Sequence, residues 1–206
     1  MEQHTYNVIF DYDGVIGDTW EANILSNITI SGLSRDEVEK RTHAYFSKRP
    51  DHSKGASADI LLKREKYTVD FAKEMEKHKR LRFEAFVSNI LSISNMRYAI
   101  VSSGSSSYIL DSVAESGLTP THILAAEDHH SKEEKIATIC KDWEISEKEI
   151  YYITDTQADV YELEDYLDRS KIIGCAWGFQ GYDKLLEVLP ANQIMKRQDE
   201  LVQHLI

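Results

Sequence analysis

The sequence predicts an α/β protein whose core is a Rossmann-like, doubly wound parallel sheet carrying an inserted α-helical cap domain. Three observations predict this. A short apolar run, Tyr6–Phe10, breaks off into Asp11-Tyr12-Asp13-Gly14, the pattern of a buried strand that delivers acidic residues to a loop. From Tyr98 onward, strand and helix patterns alternate, which calls for right-handed crossovers and a parallel sheet. Between them, residues 20–95 read as helical without a convincing strand, so that block is an insertion. The expected division is therefore 1–19 and 96–206 for the core and 20–95 for the cap.

Each element follows from local chemistry. Ser34-Arg35-Asp36-Glu37 is a capping-box pattern: the serine accepts an early helix amide and the glutamate reaches back. The charged, amphipathic stretch after it runs to Phe46. Residues 50–55 form a loop by their turn chemistry. Residues 67–91 return to helix, with Phe71, Met75, Phe83, Phe86, Val87 and Ile90 among charges. Residues 98–101 read as a strand, followed by a serine-rich turn and a helix with Ile109, Leu110 and Val113 on one face. Residues 121–124 are a strand and 132–143 a helix, with Ile136, Ile139, Cys140 and Trp143 repeating on its apolar stripe. Residues 150–153 are a strand, 158–167 a helix and 171–176 a strand. The tail from Tyr182 is mostly helical, broken near Pro190.

Composition narrows the function. The 206 residues hold 24 Lys+Arg against 35 Asp+Glu, a net charge of −11. That balance argues against a nucleic-acid partner, because phosphate backbones are held by clustered Lys and Arg. Hydrophobic residues make up 42% of the chain, enough for a buried core. Cys140 and Cys175 lie too far apart for a C-x-x-C motif, which leaves neither a disulfide framework nor a zinc knuckle. No apolar run approaches the length of a membrane span. Met1–Phe10 carries polar residues where the apolar part of a secretory leader would sit. The expectation is a cytoplasmic globular protein with no membrane partner; its oligomeric state is not legible.

In open α/β sheets, ligands bind where the carboxyl ends of strands meet their loops. The loop tips here are Asp11-Tyr12-Asp13-Gly14-Val15, Ser102-Ser103-Gly104-Ser105, the helix start at Lys132, and Thr154-Asp155-Thr156-Gln157-Ala158-Asp159. Four carboxylates, two hydroxyls and a lysine are thus expected on one rim. Carboxylates gathered there repel unless a cation joins them, and a few hard oxygen ligands suit Mg²⁺. Asp11 and Asp13, two apart on an extended chain, project to the same side. One carboxylate can attack phosphorus, giving an aspartyl-phosphate, while the other protonates the departing alkoxide. Ser102, Ser103 and the amides of their turn can hold the remaining phosphoryl oxygens.

Asp-Tyr-Asp-Gly-Val-Ile-Gly-Asp-Thr at 11–19 resembles the first motif of the haloacid dehalogenase-like hydrolase superfamily. Ile100-Val101-Ser102 resembles its second motif, Lys132 its third-motif lysine, and Tyr152-Ile153-Thr154-Asp155 with Asp159 its fourth. The order and spacing fit over residues 5–180. The resemblance implies a Mg²⁺-dependent phosphatase acting on a small phosphorylated metabolite. It makes Asp11 the nucleophile and a metal ligand, and Asp13 the general acid/base and carbonyl donor to the metal. Asp155 then completes the protein ligands, Asp159 orients a metal-bound water or Lys132, and Lys132 and Ser102 hold phosphate. True dehalogenases of the superfamily lack an acid at the position of Asp13, so that residue points to phosphoryl chemistry. An insertion between the first and second motifs is where phosphoglycolate phosphatase-like and β-phosphoglucomutase-like members carry a helical cap. A phosphomutase using the same intermediate, or a catalytically silent binding protein on the same fold, remains the alternative. Two departures stand out. Ser131-Lys132-Glu133-Glu134-Lys135 has no proline, which makes Lys135 a rival to Lys132, and Thr154 and Thr156 stand where Gly and Ser are usual.

Other polar groups have plainer readings. His129-His130 is a solvated pair and Asp128 a loop or capping residue. Arg49, His52 and Lys54 form a basic cap loop, with substrate contact as its functional alternative. Trp20 either lines the cap–core cleft or packs. The serine run is neither a P-loop nor a nucleophile elbow.

Overall fold

The computed structural model describes residues 6–50, 58–78 and 81–205. The core is one parallel sheet of six strands, β1 (Tyr6–Phe10), β4 (Met96–Val101), β5 (Ile123–Leu124), β6 (Ile150–Thr154), β7 (Ile172–Cys175) and β8 (Ile194–Met195). Its order is β5-β4-β1-β6-β7-β8. The predicted doubly wound α/β core is therefore present.

The two faces of β1 show why these residues make a central strand. Val8 and Phe10 join a buried cluster with Phe86, Ile90, Ile100 and Ile109, whereas Ile9 joins Ile136, Ile139, Tyr152 and Val160 on the other side. A strand buried on both faces has no solvent side to carry polar residues, hence the unbroken apolar run. Phe10 pairs with Ile100 on β4 and with Ile153 on β6. Asp11, Ser102 and Asp155 consequently emerge at neighbouring carboxyl ends, around the strand where the winding reverses.

The insertion contains helices α1 (Trp20–Ser31), α2 (Arg35–Phe46) and α3 (Ala58–Met75). Ser34 caps α2 by accepting the Glu37 amide at 3.4 Å. The reciprocal half of the expected capping box is absent, because the Glu37 side chain takes Arg41 at 2.8 Å instead. Arg35 ties α2 to α1 through Glu21 at 2.6 Å. His52 and Lys54 lie outside the described residues.

Three expectations are corrected. First, the helical insertion does not run to residue 95. α4 (Glu84–Leu91) buries Phe86, Val87 and Ile90 in the sheet's own cluster, so it is a core helix. Second, residues 67–91 are not one helix: α3 ends at Met75, and the chain re-enters the core through β3 (Leu81–Arg82), paired antiparallel with β2 (Gly17–Asp18). Third, the tail is not mainly helical, since β8 extends the sheet between short helices α8 (Gly181–Leu186) and α9 (Leu201–His204). Strands of two residues leave no periodicity for a sequence pattern to register. Helix α5 (Ser106–Ser116) buries Ile109 and Val113 as expected but leaves Leu110 exposed. Helix α6 (Lys132–Trp143) matches its expected bounds, and α7 (Gln157–Leu163) is shorter than expected.

Candidate active site

Asp11 is the first residue beyond β1, and its amide still donates to the Ile153 carbonyl at 2.9 Å. The sheet therefore fixes its position. Its Oδ1 accepts the Tyr12 amide at 2.8 Å, and its Oδ2 lies 3.0 Å from Lys132 Nζ. Lys132 opens α6, where Ser131 caps the helix by accepting the Glu134 amide at 3.1 Å. The Lys132 amide donates to Glu162 Oε1 at 2.7 Å, tying the helix start to α7.

On its other side, Lys132 Nζ donates to Asp159 Oδ2 at 2.6 Å. That same oxygen accepts Thr154 Oγ1 at 2.7 Å and the Tyr152 hydroxyl at 3.3 Å. Thr154 thus secures Asp159, while Thr156 caps α7. Both threonines that depart from the usual motif have a structural task. Lys135, the rival lysine, is buried one helical turn away and donates to the Ser102 carbonyl at 2.6 Å. Between the two lysines, only Lys132 ion-pairs with Asp11.

Asp13 faces hydroxyls. Its Oδ1 accepts Thr19 Oγ1 at 2.7 Å, and its Oδ2 accepts the Tyr108 hydroxyl at 2.8 Å and Ser102 Oγ at 3.3 Å. Ser102 Oγ also accepts the Gly104 amide at 2.9 Å, shaping the turn. Ser103 is exposed at the same rim. Asp155 sits beyond β6, its Oδ2 accepting the Phe179 amide at 2.6 Å. Its Oδ1 is buried with no hydrogen-bond partner.

The four carboxylates do share one rim, close enough that Asp159, Asp155 and Asp13 each push the Asp11 carboxyl upward. Among the described residues, no three Asp, Glu, His or Cys side chains stand together as a ligand set. Asp11 and Asp159 both pair with Lys132 and Asp13 faces hydroxyls, whereas Asp155 Oδ1 has no hydrogen-bond partner. His129 and His130 are exposed, as their plainer reading had it. Arg49 makes an exposed ion pair with Asp165 at 3.1 Å.

The electrostatics are those of a site short of positive charge. Burial pushes the Asp11 carboxyl well up, with Lys132 pulling it down and Asp159 and Asp155 adding to the rise. Burial likewise works against the Lys132 ammonium, but Asp11 and Asp159 hold it protonated well above an ordinary lysine. Burial carries Asp155 up to about 8, against the Phe179 amide. Burial raises Asp13 too, opposed by the hydroxyls of Thr19, Tyr108 and Ser102. Burial and the neighbouring Lys132 charge depress Lys135 to about 8.

Two glycines let the backbone close on Asp155. Gly14 has φ +78°, and a Cβ there would fall 1.9 Å from Asp155 Oδ2. A Cβ on Gly178 would fall 2.2 Å from Asp155 Cβ and 2.6 Å from the Gly14 carbonyl oxygen. Gly178→Ala is therefore expected to shift the Asp155 carboxylate. A misplacement on the 1 Å scale costs about 10²-fold in rate, and overpacking costs roughly 1–3 kcal/mol. Kinetics and thermal melting of the variant check this; unchanged values in both would contradict the packing. The loop at 177–180 carries no charged side chain, and the sequence reading missed it because it acts through a backbone amide.

A cavity of about 370 Å³ lies between cap and core, lined by Asp18, Trp20, Glu39, His43, Phe83, Trp177, Gly178 and Phe179. Trp20 packs against His43 at 4.9 Å and Phe179 at 5.1 Å between ring centroids, so it both packs and lines the cleft. Among the described residues, no lysine or arginine lines it.

A family model described as haloacid dehalogenase-like hydrolase matches residues 8–162. No curated protein matches the chain. Among solved structures, a hydrolase from Pseudomonas syringae shares 16% identity, with 98% of each chain covered and a TM-score of 0.71. A predicted phosphatase from Clostridium acetobutylicum shares 19% over 97% of each chain, with a TM-score of 0.68. A predicted phosphoglycolate phosphatase from Haemophilus somnus shares 12% over 98% of each chain, with a TM-score of 0.66. At these identities the likeness is one of fold.

Proposed function

Because the chain belongs to the haloacid dehalogenase-like hydrolases, we propose that this enzyme is a Mg²⁺-dependent phosphatase acting on a small phosphomonoester through an aspartyl-phosphate on Asp11. The observation that carries the reading is the Asp11 carboxylate, buried at the end of the central strand and 3.0 Å from Lys132, with Asp13 two residues on. A phosphatase described in the Clostridium relative's name accords with it.

The residues fit a hard divalent cation. Asp155 Oδ1 is a buried oxygen with no partner, and burial raises Asp11 and Asp155 despite Lys132. Asp11, Asp155 and the Asp13 carbonyl would hold Mg²⁺. When bound, the ion supplies positive charge that steadies the Asp11 carboxylate and the phosphoryl oxygens. Lys132 adds its ammonium to the same task. Asp11 Oδ attacks phosphorus as the bond to the leaving oxygen breaks, and Asp13 gives that oxygen a proton. Ser102, Ser103 and the turn amides orient the transferred group. Water then releases phosphate, with Asp13 receiving a proton back.

The leaving group is assigned to the cap–core cavity, whose described lining of two carboxylates, a histidine and aromatic rings suits an uncharged or cationic group. The substrate is a phosphorylated metabolite. Among the described residues, no helix is long and apolar enough to cross a membrane.

The test is release of inorganic phosphate from 4-nitrophenyl phosphate and then from a metabolite panel. Activity is expected with Mg²⁺, is lost with a chelator and returns when the ion is restored. Asp155→Asn should weaken metal affinity about 10- to 100-fold, read as a raised Mg²⁺ requirement. Full activity in excess chelator would overturn the metal assignment. Transfer of the phosphoryl group to a rearranged product, with none released to water, would make the enzyme a phosphomutase.

A further inference from the structure

The mechanism above leaves the buried hydroxyl of Tyr108, in contact with Asp13, without a role. Tyr108 lies in the first turn of α5 and is 3% exposed. Its ring packs against Tyr12 at 6.1 Å, and its hydroxyl donates to Asp13 Oδ2 at 2.8 Å. Nothing in the serine-rich stretch before it marks this tyrosine as more than a core residue.

The neighbouring chain makes room for this contact. A Cβ on Gly104 would fall 1.7 Å from the Tyr108 hydroxyl oxygen and 2.8 Å from Asp13 Oδ2. The turn at Gly104 thus passes directly over the hydrogen bond, where any other residue would part the pair.

We propose that Tyr108 is a positioning residue for Asp13, holding the carboxyl in place and stabilising the carboxylate that Asp13 becomes when it gives its proton to the leaving group. This rests on the acid role proposed for Asp13. In that step the Asp11 oxygen–phosphorus bond forms and the phosphorus–leaving-oxygen bond breaks. The Asp13 proton passes to the departing oxygen, and the negative charge left on Asp13 is met by the hydroxyls of Tyr108, Ser102 and Thr19. A donor aimed at charge that develops during the reaction accelerates it.

A merely structural role and this one differ in their dependence on the leaving group. Phenyl phosphate needs its departing oxygen protonated more than 4-nitrophenyl phosphate does. kcat/KM is the measure to use, because it covers the reaction up to formation of the phospho-enzyme and excludes later hydrolysis. Tyr108→Phe keeps the ring and removes the donor. It is expected to lower kcat/KM for phenyl phosphate about tenfold, the scale of one hydrogen bond to a charged group, and for 4-nitrophenyl phosphate no more than about twofold. An equal loss on both substrates, or no loss on either, overturns the proposal. Asp13→Asn, run in parallel, separates the two levels: if it shows no leaving-group dependence, the acid assignment itself fails. If it does and Tyr108→Phe does not, only the tyrosine's role is lost.

Discussion

Asp11→Asn is expected to abolish turnover, lowering kcat by about 10⁴-fold or more, on the scale seen when a catalytic nucleophile is removed. An amide at this position is close to the carboxylate in shape but cannot form the acyl-phosphate bond. The substitution also removes one of the two carboxylates facing Lys132, which stands 3.0 Å from Asp11 and 2.6 Å from Asp159. Lys132 keeps Asp159 as its partner, so the variant should remain folded. Phosphate release together with circular dichroism checks both halves. A folded variant with near-normal turnover would show that another group attacks phosphorus.

Lys132→Met carries the second largest effect, and it acts on stability as well as rate. The lysine is 3% exposed and is the ion-pair partner of both Asp11 and Asp159. Removing one member of a buried ion cluster leaves uncompensated charge behind and typically costs about 3–5 kcal/mol. For a chain of this size each kcal/mol shifts Tm by roughly 2–4 °C, so melting should fall by about 10 °C. Loss of the ammonium at the phosphoryl oxygens should also lower kcat by about 10²–10³-fold. Added Mg²⁺ should recover part of the stability, because a divalent ion relieves the same carboxylates. Lys135→Met is the informative comparison, since that lysine bonds the Ser102 carbonyl and makes no ion pair with Asp11. Equal losses in both variants would contradict the assignment of Lys132 as the counter-ion of Asp11.

Much of the site was legible in the sequence because sheet topology does the gathering. Tyr6–Phe10 is buried on both faces, so its apolar run ends where the strand ends, and the next residue is Asp11 at the rim. The same logic exposed Ser102 and Asp155 at the ends of β4 and β6. What the sequence could not separate was Lys132 from Lys135. Both are buried on α6, one turn apart, and only packing decides which ammonium meets Asp11.

Other parts carried no signal of the kind a pattern detects. Phe179 holds Asp155 through its amide, and Gly178 matters for the side chain it lacks. Tyr108 looks like any helix aromatic until the fold brings its hydroxyl to Asp13. The insertion's end was misplaced because α4 has a helical pattern like the cap's; what separates it is the partner it packs against. β2, β3 and β8 are two residues each, and their existence depends on neighbours rather than on their own composition.

The central claim is that a covalent bond forms between Asp11 and phosphorus. Acid quenching of the enzyme during turnover of 4-nitrophenyl phosphate, followed by peptide mass spectrometry, reads that bond directly. A phosphoryl adduct on the peptide bearing Asp11, absent from Asp11→Asn, is the predicted result. Turnover with the adduct on another residue, or with none despite trapping at rates faster than hydrolysis, would contradict it.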